Sequence, residues 1–258
     1  KKMFKETSKE LLDFLSKSPT AFHAVENYRQ ILNADGFKEL LESEHWDIVP
    51  GGKYYVTRNN TSILAFKVGT KLDNYSFNIV TSHTDSPTFK VKENAEIEVK
   101  NKYTQLNTEG YGGMLCATWL DRPLSIAGRV LVSEGNSIVT KLLNIDRDLL
   151  MIPNVAIHMN RAANDGFKYN LQVDMLPLLS GGDDRQKDFK QIIADELGVK
   201  KEDILGHDLY LYNRMAPSIW GANEEFISAG HLDDLQCGFA SLKALLAGYN
   251  DESIDIMA

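Results

Sequence analysis

The sequence predicts an α/β protein in which a discontinuous domain, residues 1–90 and 221–258, carries a mixed sheet sandwiched by helices and is interrupted by a mostly β domain over residues 91–220. Three observations predict this. Helix-period apolar stripes give way to strand-length runs within the first 90 residues. From Val91 onward the chain consists of short alternating segments separated by turn residues. Around Gly221 a short strand followed by a helix returns, which restores the layering of an α/β domain.

Taken in order, the first helix is predicted over residues 8–16, with Leu11, Leu12 and Leu15 on one face. Ser18-Pro19-Thr20 stops it and caps the next. That second helix runs to Ala34 on a stripe of Phe22, Val25, Tyr28, Ile31 and Leu32, and Asp35-Gly36 ends it. Strands are predicted at 54–58 and 62–68, joined by the turn-forming Asn59-Asn60, and a third at 76–80. In the β-rich region, residues 95–100, 129–133 and 137–143 read as strands, and residues 188–197 as a helix closed by Gly198. Residues 226–229 read as a short strand. Residues 234–248 form a helix with Leu235, Phe239, Leu242, Leu245 and Leu246 at helical spacing. Residues 253–257 alternate as a strand that reaches Ala258 without a partner, so the domain is expected to be unfinished there.

The segment Thr81-Ser82-His83-Thr84-Asp85-Ser86-Pro87 follows the predicted strand at 76–80. In an extended chain residues two apart point the same way, so His83 and Asp85 aim at one spot beyond the carboxyl edge of the sheet. Open α/β sheets place their ligands at that edge. A neutral imidazole is a good zinc or cobalt ligand, and a carboxylate beside it orients the ring, holds the metal or steers a base. The pair reads as half of a metal site; the plainer alternative is a polar turn whose side chains bond each other or the backbone. A second junction, His231-Leu232-Asp233-Asp234-Leu235, lies between a strand and a helix. Asp234 fits a helix N-cap, which leaves Asp233 free to face a cleft. A carboxylate bridging two divalent ions, with a His on one of them, is a standard arrangement for making hydroxide at neutral pH.

With 43% hydrophobic and 25% charged residues and a net charge of −8, the composition is that of an ordinary soluble globular protein. Nothing in it points to nucleic acid or an anionic membrane as partner. No apolar run approaches a membrane span and the first residues lack the apolar core of a secretion signal, so a cytoplasmic protein is expected. Cys116 and Cys237 show no metal-ligand spacing and read as buried free thiols. His23, His45 and His207 read as packing or loop residues.

Seven segments occur in one order: Ser18-Pro19-Thr20-Ala21-Phe22-His23-Ala24-Val25, Lys53-Tyr54-Tyr55-Val56-Thr57-Arg58, Ser82-His83-Thr84-Asp85-Ser86-Pro87, Trp119-Leu120-Asp121-Arg122, Val155-Ala156-Ile157-His158-Met159-Asn160-Arg161, Asp195-Glu196-Leu197-Gly198 and Leu232-Asp233-Asp234-Leu235. On these residues the chain resembles the aspartyl aminopeptidase family of dinuclear metallopeptidases. The resemblance implies His83 as terminal ligand of one metal, Asp233 as the bridging ligand, and Asp85 as the carboxylate that orients the site and its base. It implies two divalent metal ions, zinc in the first place, with cobalt or manganese as alternatives. The implied activity is a metal-dependent aminopeptidase that removes amino-terminal residues, acidic Asp or Glu by the family name, from short peptides by hydroxide attack. The insert would then be a dimerisation and lid domain, and the protein a homo-oligomer, a tetrahedral dodecamer.

His158 follows Ala156 and Ile157, which suggest a strand of the insert where a lone His packs. The resemblance makes it a metal or substrate contact reaching a partner subunit's site. Trp119, Asp121 and Arg122 read as insert core with a local ion pair. Members of the family often carry Arg before the Leu-Asp pair and Asn after it, where this chain has His231 and Asp234. By the resemblance an adjacent Glu pair, a further acidic ligand and a final His belong beyond Ala258. The competing readings are a related-site carboxypeptidase or N-acyl amino acid deacylase, against which the insert segments speak, and a non-catalytic assembly particle, against which His83, Asp85 and Asp233 speak.

Overall fold

A computed structural model describes residues 2–181 and 188–258. The chain divides into two compact units, Lys1–Ser86 with Ala216–Ala258, and Pro87–Met215. The first unit opens with α1 (Lys2–Ser16), α2 (Ala21–Ala34), β1 (Lys38–Glu39), β2 (Lys53–Arg58), β3 (Ser62–Val68) and β4 (Ser76–Val80). The second contains β5 (Thr88–Val99), β6 (Tyr103–Tyr111), β7 (Leu124–Glu134), β8 (Ser137–Asn144), β9 (Leu178–Gly181), α3 (Phe189–Leu197) and β10 (Ile204–Asn213). The chain then returns to the first unit with β11 (Ser218–Trp220), β12 (Phe226–Ser228), α4 (Leu232–Ala247) and β13 (Ser253–Met257).

In the first unit the strand order is β1-β2-β3-β13-β4. The sheet is mixed: β2 and β13 run antiparallel to β3, while β13 runs parallel to β4 with Ile254 opposite Phe77. The sequence expectation of an unpaired last strand is therefore corrected. Alternation marks a strand but carries no information about partners so far back in the chain. The hairpin between β2 and β3 turns through Asn59 and Asn60, both left-handed at φ 54° and 55°, a conformation asparagine tolerates.

Apolar spacing decides which helix faces are buried. Leu11, Phe14 and Leu15 of α1, Val25, Tyr28 and Leu32 of α2, and Leu235, Phe239, Leu242 and Leu245 of α4 meet Tyr55, Ile63, Ala65 and Met257 of the sheet. Each aliphatic or aromatic side chain so buried contributes about 1.5–3 kcal/mol. Tyr54, Phe66 and Val68 point to the opposite face with Ile254 and Ile256, as period-two alternation requires. His23 packs as expected, its Nδ1 bonded to Thr20 Oγ1 at 2.8 Å, and burial pushes its imidazole down to about 4.

The second unit is an antiparallel sheet in the order β8-β7-β10-β5-β6-β9. Its core holds Phe89, Leu106, Ile126, Val130, Leu143 and Leu209, with Phe189 and Ile193 of α3 packed in. The strand β6 is poorly marked in the sequence because its inward positions are Thr104, Leu106 and Thr108, two of them hydroxyl-bearing. Gly128, at φ +152°, lies hard against β10; a methyl there would be driven into the Asp208 carbonyl. Asp188 caps α3 by accepting the Gln191 N–H at 2.8 Å, and Gly198 closes it in the left-handed region.

Asp208 on β10 sits between Lys90 of β5 (2.8 Å) and Arg129 of β7 (2.9 Å to Nε, 2.8 Å to Nη2). Burial alone would raise its carboxyl, but these two cations hold it below its ordinary value. Asp208→Ala is expected to lower stability by about 1.5–3 kcal/mol, the range for hydrogen bonds to charged groups, measured by denaturant unfolding. Because the folded carboxyl is depressed, the stabilisation is present above the unfolded value of ~3.9 and fades as the pH falls through the folded one.

Three further expectations change. Cys116 is half-buried and Cys237 exposed. Asp121 accepts the Asn154 N–H at 2.8 Å, and Arg122 Nη1 lies 2.6 Å from Met215 Sδ, so these neighbours are bonded elsewhere and form no local ion pair. Trp119 does pack, edge-on to Phe89 at 5.2 Å. Among the described residues no helix is long and apolar enough to cross a membrane.

Candidate metal centre

The backbone beyond β4 stays paired after the strand ends. Ala258 N–H donates to Val80 O at 3.0 Å and Ser82 N–H to Ala258 O at 3.0 Å, which keeps the chain extended up to His83. His83 is thereby presented at the carboxyl end of β4, beside the end of the parallel strand β13. Two hydroxyls pin the segment that follows: Thr84 Oγ1 donates to Thr61 O at 2.5 Å and Ser86 Oγ to Asp233 O at 2.9 Å.

The second junction does not start as a regular helix. His231 is left-handed at φ 60°, Asp233 and Asp234 have non-helical backbones, and the peptide between them is cis. Regular helix begins after Asp234, and from there the apolar stripe of α4 anchors the junction in the core.

These two segments bring together His83, Asp85, Asp233 and Asp234. His83 Nδ1 bonds the Asp85 carbonyl at 2.9 Å and Asp85 Oδ1 at 3.2 Å. With that nitrogen engaged, Nε2 faces Asp233 Oδ1 at 3.4 Å and Asp234 Oδ2 at 3.9 Å. The Asp233 side chain is 95% exposed and Asp234 only 19%, so Asp233 is the carboxylate open to a ligand. Asp234 stands immediately before the regular helix, where the sequence places a cap, but its carboxylate turns to His83. That carboxylate accepts the His83 N–H at 3.2 Å and has the Cys237 thiol, in the first turn of the helix, as a neighbour.

The electrostatics follow from these contacts. Burial lowers His83, but the Asp85 carbonyl and the Asp234 and Asp85 carboxylates outweigh it and hold the imidazole above its ordinary value. The Cys237 hydrogen bond, opposed by burial and aided by the His83 N–H, keeps Asp234 below the usual carboxylate range. The same bond raises the Cys237 thiol, so it is a proton donor and not a thiolate. Burial pushes His231 down to about 4, which leaves it neutral.

An imidazole whose far nitrogen is fixed by a carbonyl and a carboxylate, facing an exposed carboxylate, is a donor set that fits zinc. Among the described residues no group of three or more His, Cys, Asp or Glu side chains is gathered as a complete metal site. His83 and Asp233 are two donors, and a closed site requires more.

His158 lies in the other unit. It occupies an exposed turn, with Met159 N–H bonded to Ala156 O at 2.8 Å, and not the strand predicted for it. Pro153 has no N–H to give a ladder and Asn154 bonds the following backbone, so the apolar neighbours of His158 have no sheet to join. Sequence reasoning missed Asp234 and Cys237 as contacts of the site. An Asp one residue from another shows no linear signal of which of the two turns back.

The model of the aminopeptidase I zinc metalloproteases, M18, matches residues 14–257. A probable M18 family aminopeptidase 2 of Clostridium novyi is 48% identical over 242 residues, which is 92% of this chain and 56% of that protein. A cryo-EM structure of the Ape4 and Nbr1 complex superposes with a TM-score of 0.92 at 32% identity, covering 98% of this chain and 54% of that one. The S. cerevisiae mApe1 dodecamer gives 0.81 at 27% identity, covering 98% and 60%. The chain thus spans little more than half the length of the proteins it matches. With the family model spanning all but its first residues and last residue, this chain belongs to the M18 family of zinc metallopeptidases.

Proposed function

We propose that the protein is a zinc-dependent aminopeptidase that releases amino-terminal residues, acidic ones first, from short peptides. The observation that carries this reading is His83, clamped at Nδ1 by Asp85 and open at Nε2 toward Asp233. His83 and Asp233 would hold the metal, with Asp233 placed to bridge a second ion. Zinc, when bound, supplies the Lewis acidity that activates water and polarises a peptide carbonyl. Asp85 keeps the imidazole in one tautomer and one orientation, and the exposed face of Asp233 leaves room for substrate. By the family resemblance, the remaining donors and the general base would come from the part of the relatives' length that this chain does not cover.

Assembly is part of the same reading. A homo-oligomer, a tetrahedral dodecamer built through the β-rich unit, is supported by the dodecamer described for S. cerevisiae mApe1. The exposed turn at His158 would serve a partner subunit's site, as a contact to substrate or metal. A cytoplasmic location goes with it and rests on composition alone.

The test is release of the first residue from Asp-, Glu- and Ala-initiated tripeptides by the intact protein. Turnover is expected to vanish with a chelator and return with zinc. Release of the last residue, or of an acyl group from N-acyl amino acids, would favour the related-site alternatives. No release from any of these substrates at full zinc occupancy would leave the assembly particle as the reading.

A further inference from the structure

Two groups at the metal-site junction have no task in the reading above. The Asp234 carboxylate is the better buried of the adjacent pair, and its Oδ2 is bonded to the His83 main chain while standing 3.9 Å from the ring. It therefore grips the backbone of the residue whose side chain faces Asp233. Tyr28 of α2 is 1% exposed, and its hydroxyl is buried with no hydrogen-bond partner among the described residues. Burial raises that phenol, and the charge of Asp234 adds to the effect.

The Tyr28 hydroxyl occupies the space that a side chain at position 238 would need. A methyl on Gly238 would be driven into that oxygen and would stand 3.3 Å from Ser82 Oγ and 3.4 Å from Tyr28 Cζ. Gly238 is not one of the left-handed glycines, so the missing side chain answers to space and not to backbone conformation. At this point α2, α4 and the segment leading into His83 come within one side chain of each other.

We propose that Asp234 and Tyr28 are positioning residues of this site: Asp234 holds the His83 main chain, and the Tyr28 hydroxyl, seated over the bare Gly238, sets how closely α4 approaches residues 82 and 83. The proposal rests on the reading of His83 and Asp233 as zinc ligands. It makes the requirement for glycine at 238 depend chiefly on the hydroxyl oxygen of Tyr28, with the Ser82 hydroxyl at 3.3 Å needing to give only slightly. A phenylalanine at 28 would leave the methyl of Gly238→Ala at an ordinary contact distance from the ring.

The experiment uses the intact protein with Gly238→Ala, Tyr28→Phe, both together, Asp234→Ala and Asp234→Asn. Zinc affinity is read by competition with a chromophoric chelator, and hydrogen exchange of the His83 amide is read in chelator-treated protein. Gly238→Ala is expected to weaken zinc about tenfold, and adding Tyr28→Phe to recover most of that loss, a coupling within the range for touching residues. Asp234→Ala is expected to speed His83 exchange and weaken zinc ~10–100-fold, as for loss of a ligand-supporting group. Asp234→Asn keeps an acceptor and is expected to retain the amide's protection. Circular-dichroism melts identify any variant that fails to fold, and Asp234→Asn keeps the test decisive in that event. An impairment by Gly238→Ala that Tyr28→Phe does not relieve, or His83 protection that Asp234→Ala leaves unchanged, would overturn the proposal. Zinc affinity untouched by His83→Ala would instead overturn the metal reading, and the metal-free exchange would still decide the positioning roles.

Discussion

His83→Ala and Asp233→Ala, each made in the intact protein, are expected to remove bound zinc and to reduce peptide turnover by far more than the ~100-fold that loss of a supporting partner costs. Each change deletes a donor facing the same space: Nε2 and Oδ1 lie 3.4 Å apart across it. Zinc is normally held by three or four protein ligands, so losing one takes a large share of the binding free energy and opens the geometry. The measurement is zinc content by elemental analysis after gel filtration, paired with tripeptide turnover. Full zinc content and a wild-type rate in both variants would show that the metal sits elsewhere.

Asp85→Asn is expected to behave differently, keeping most of the zinc while losing turnover ~10–100-fold. The Asp85 carbonyl still bonds His83 Nδ1 at 2.9 Å, so the ring stays in place, but the carboxylate charge 3.2 Å away is gone. That charge helps hold the imidazole above its ordinary value. Without it the free imidazole loses its proton at lower pH, so proton competition weakens and zinc binding should persist further into acid. The checks are kcat at saturating zinc and the pH midpoint of zinc release. An Asn variant with full turnover would remove Asp85 from the mechanism.

The sequence made some of this legible and hid the rest for physical reasons. The helices α2 and α4 announce themselves because Val25, Tyr28 and Leu32, and Leu235, Phe239 and Leu242, repeat at the helical period. The hairpin at Asn59-Asn60 is visible because few other residues adopt positive φ twice in succession. The His83 and Asp85 pairing is local, and two residues of extended chain bring it about. The contact between Asp234 and the His83 amide is not local; it depends on the far end of the first unit folding back beside β4, and a capping motif nearby offered a simpler explanation. The strand expected at His158 is a turn instead, because apolar neighbours make a strand only where the backbone has a ladder to join.

The position of β13 in the sheet has a consequence for the order in which the molecule can form during synthesis. Its parallel neighbour β4 and its antiparallel neighbour β3 start 177 and 191 residues earlier in the chain, and both must wait for it. Until residue 257 has been made, β4 lacks the neighbour that separates it from β3 in the finished sheet, and its backbone is open on both edges to wrong partners. The β-rich unit has no such delay, since Pro87–Met215 is one uninterrupted stretch. A nascent chain can therefore complete its middle before its beginning, and the strand that leads to His83 is among the last parts of the first unit to find its neighbours.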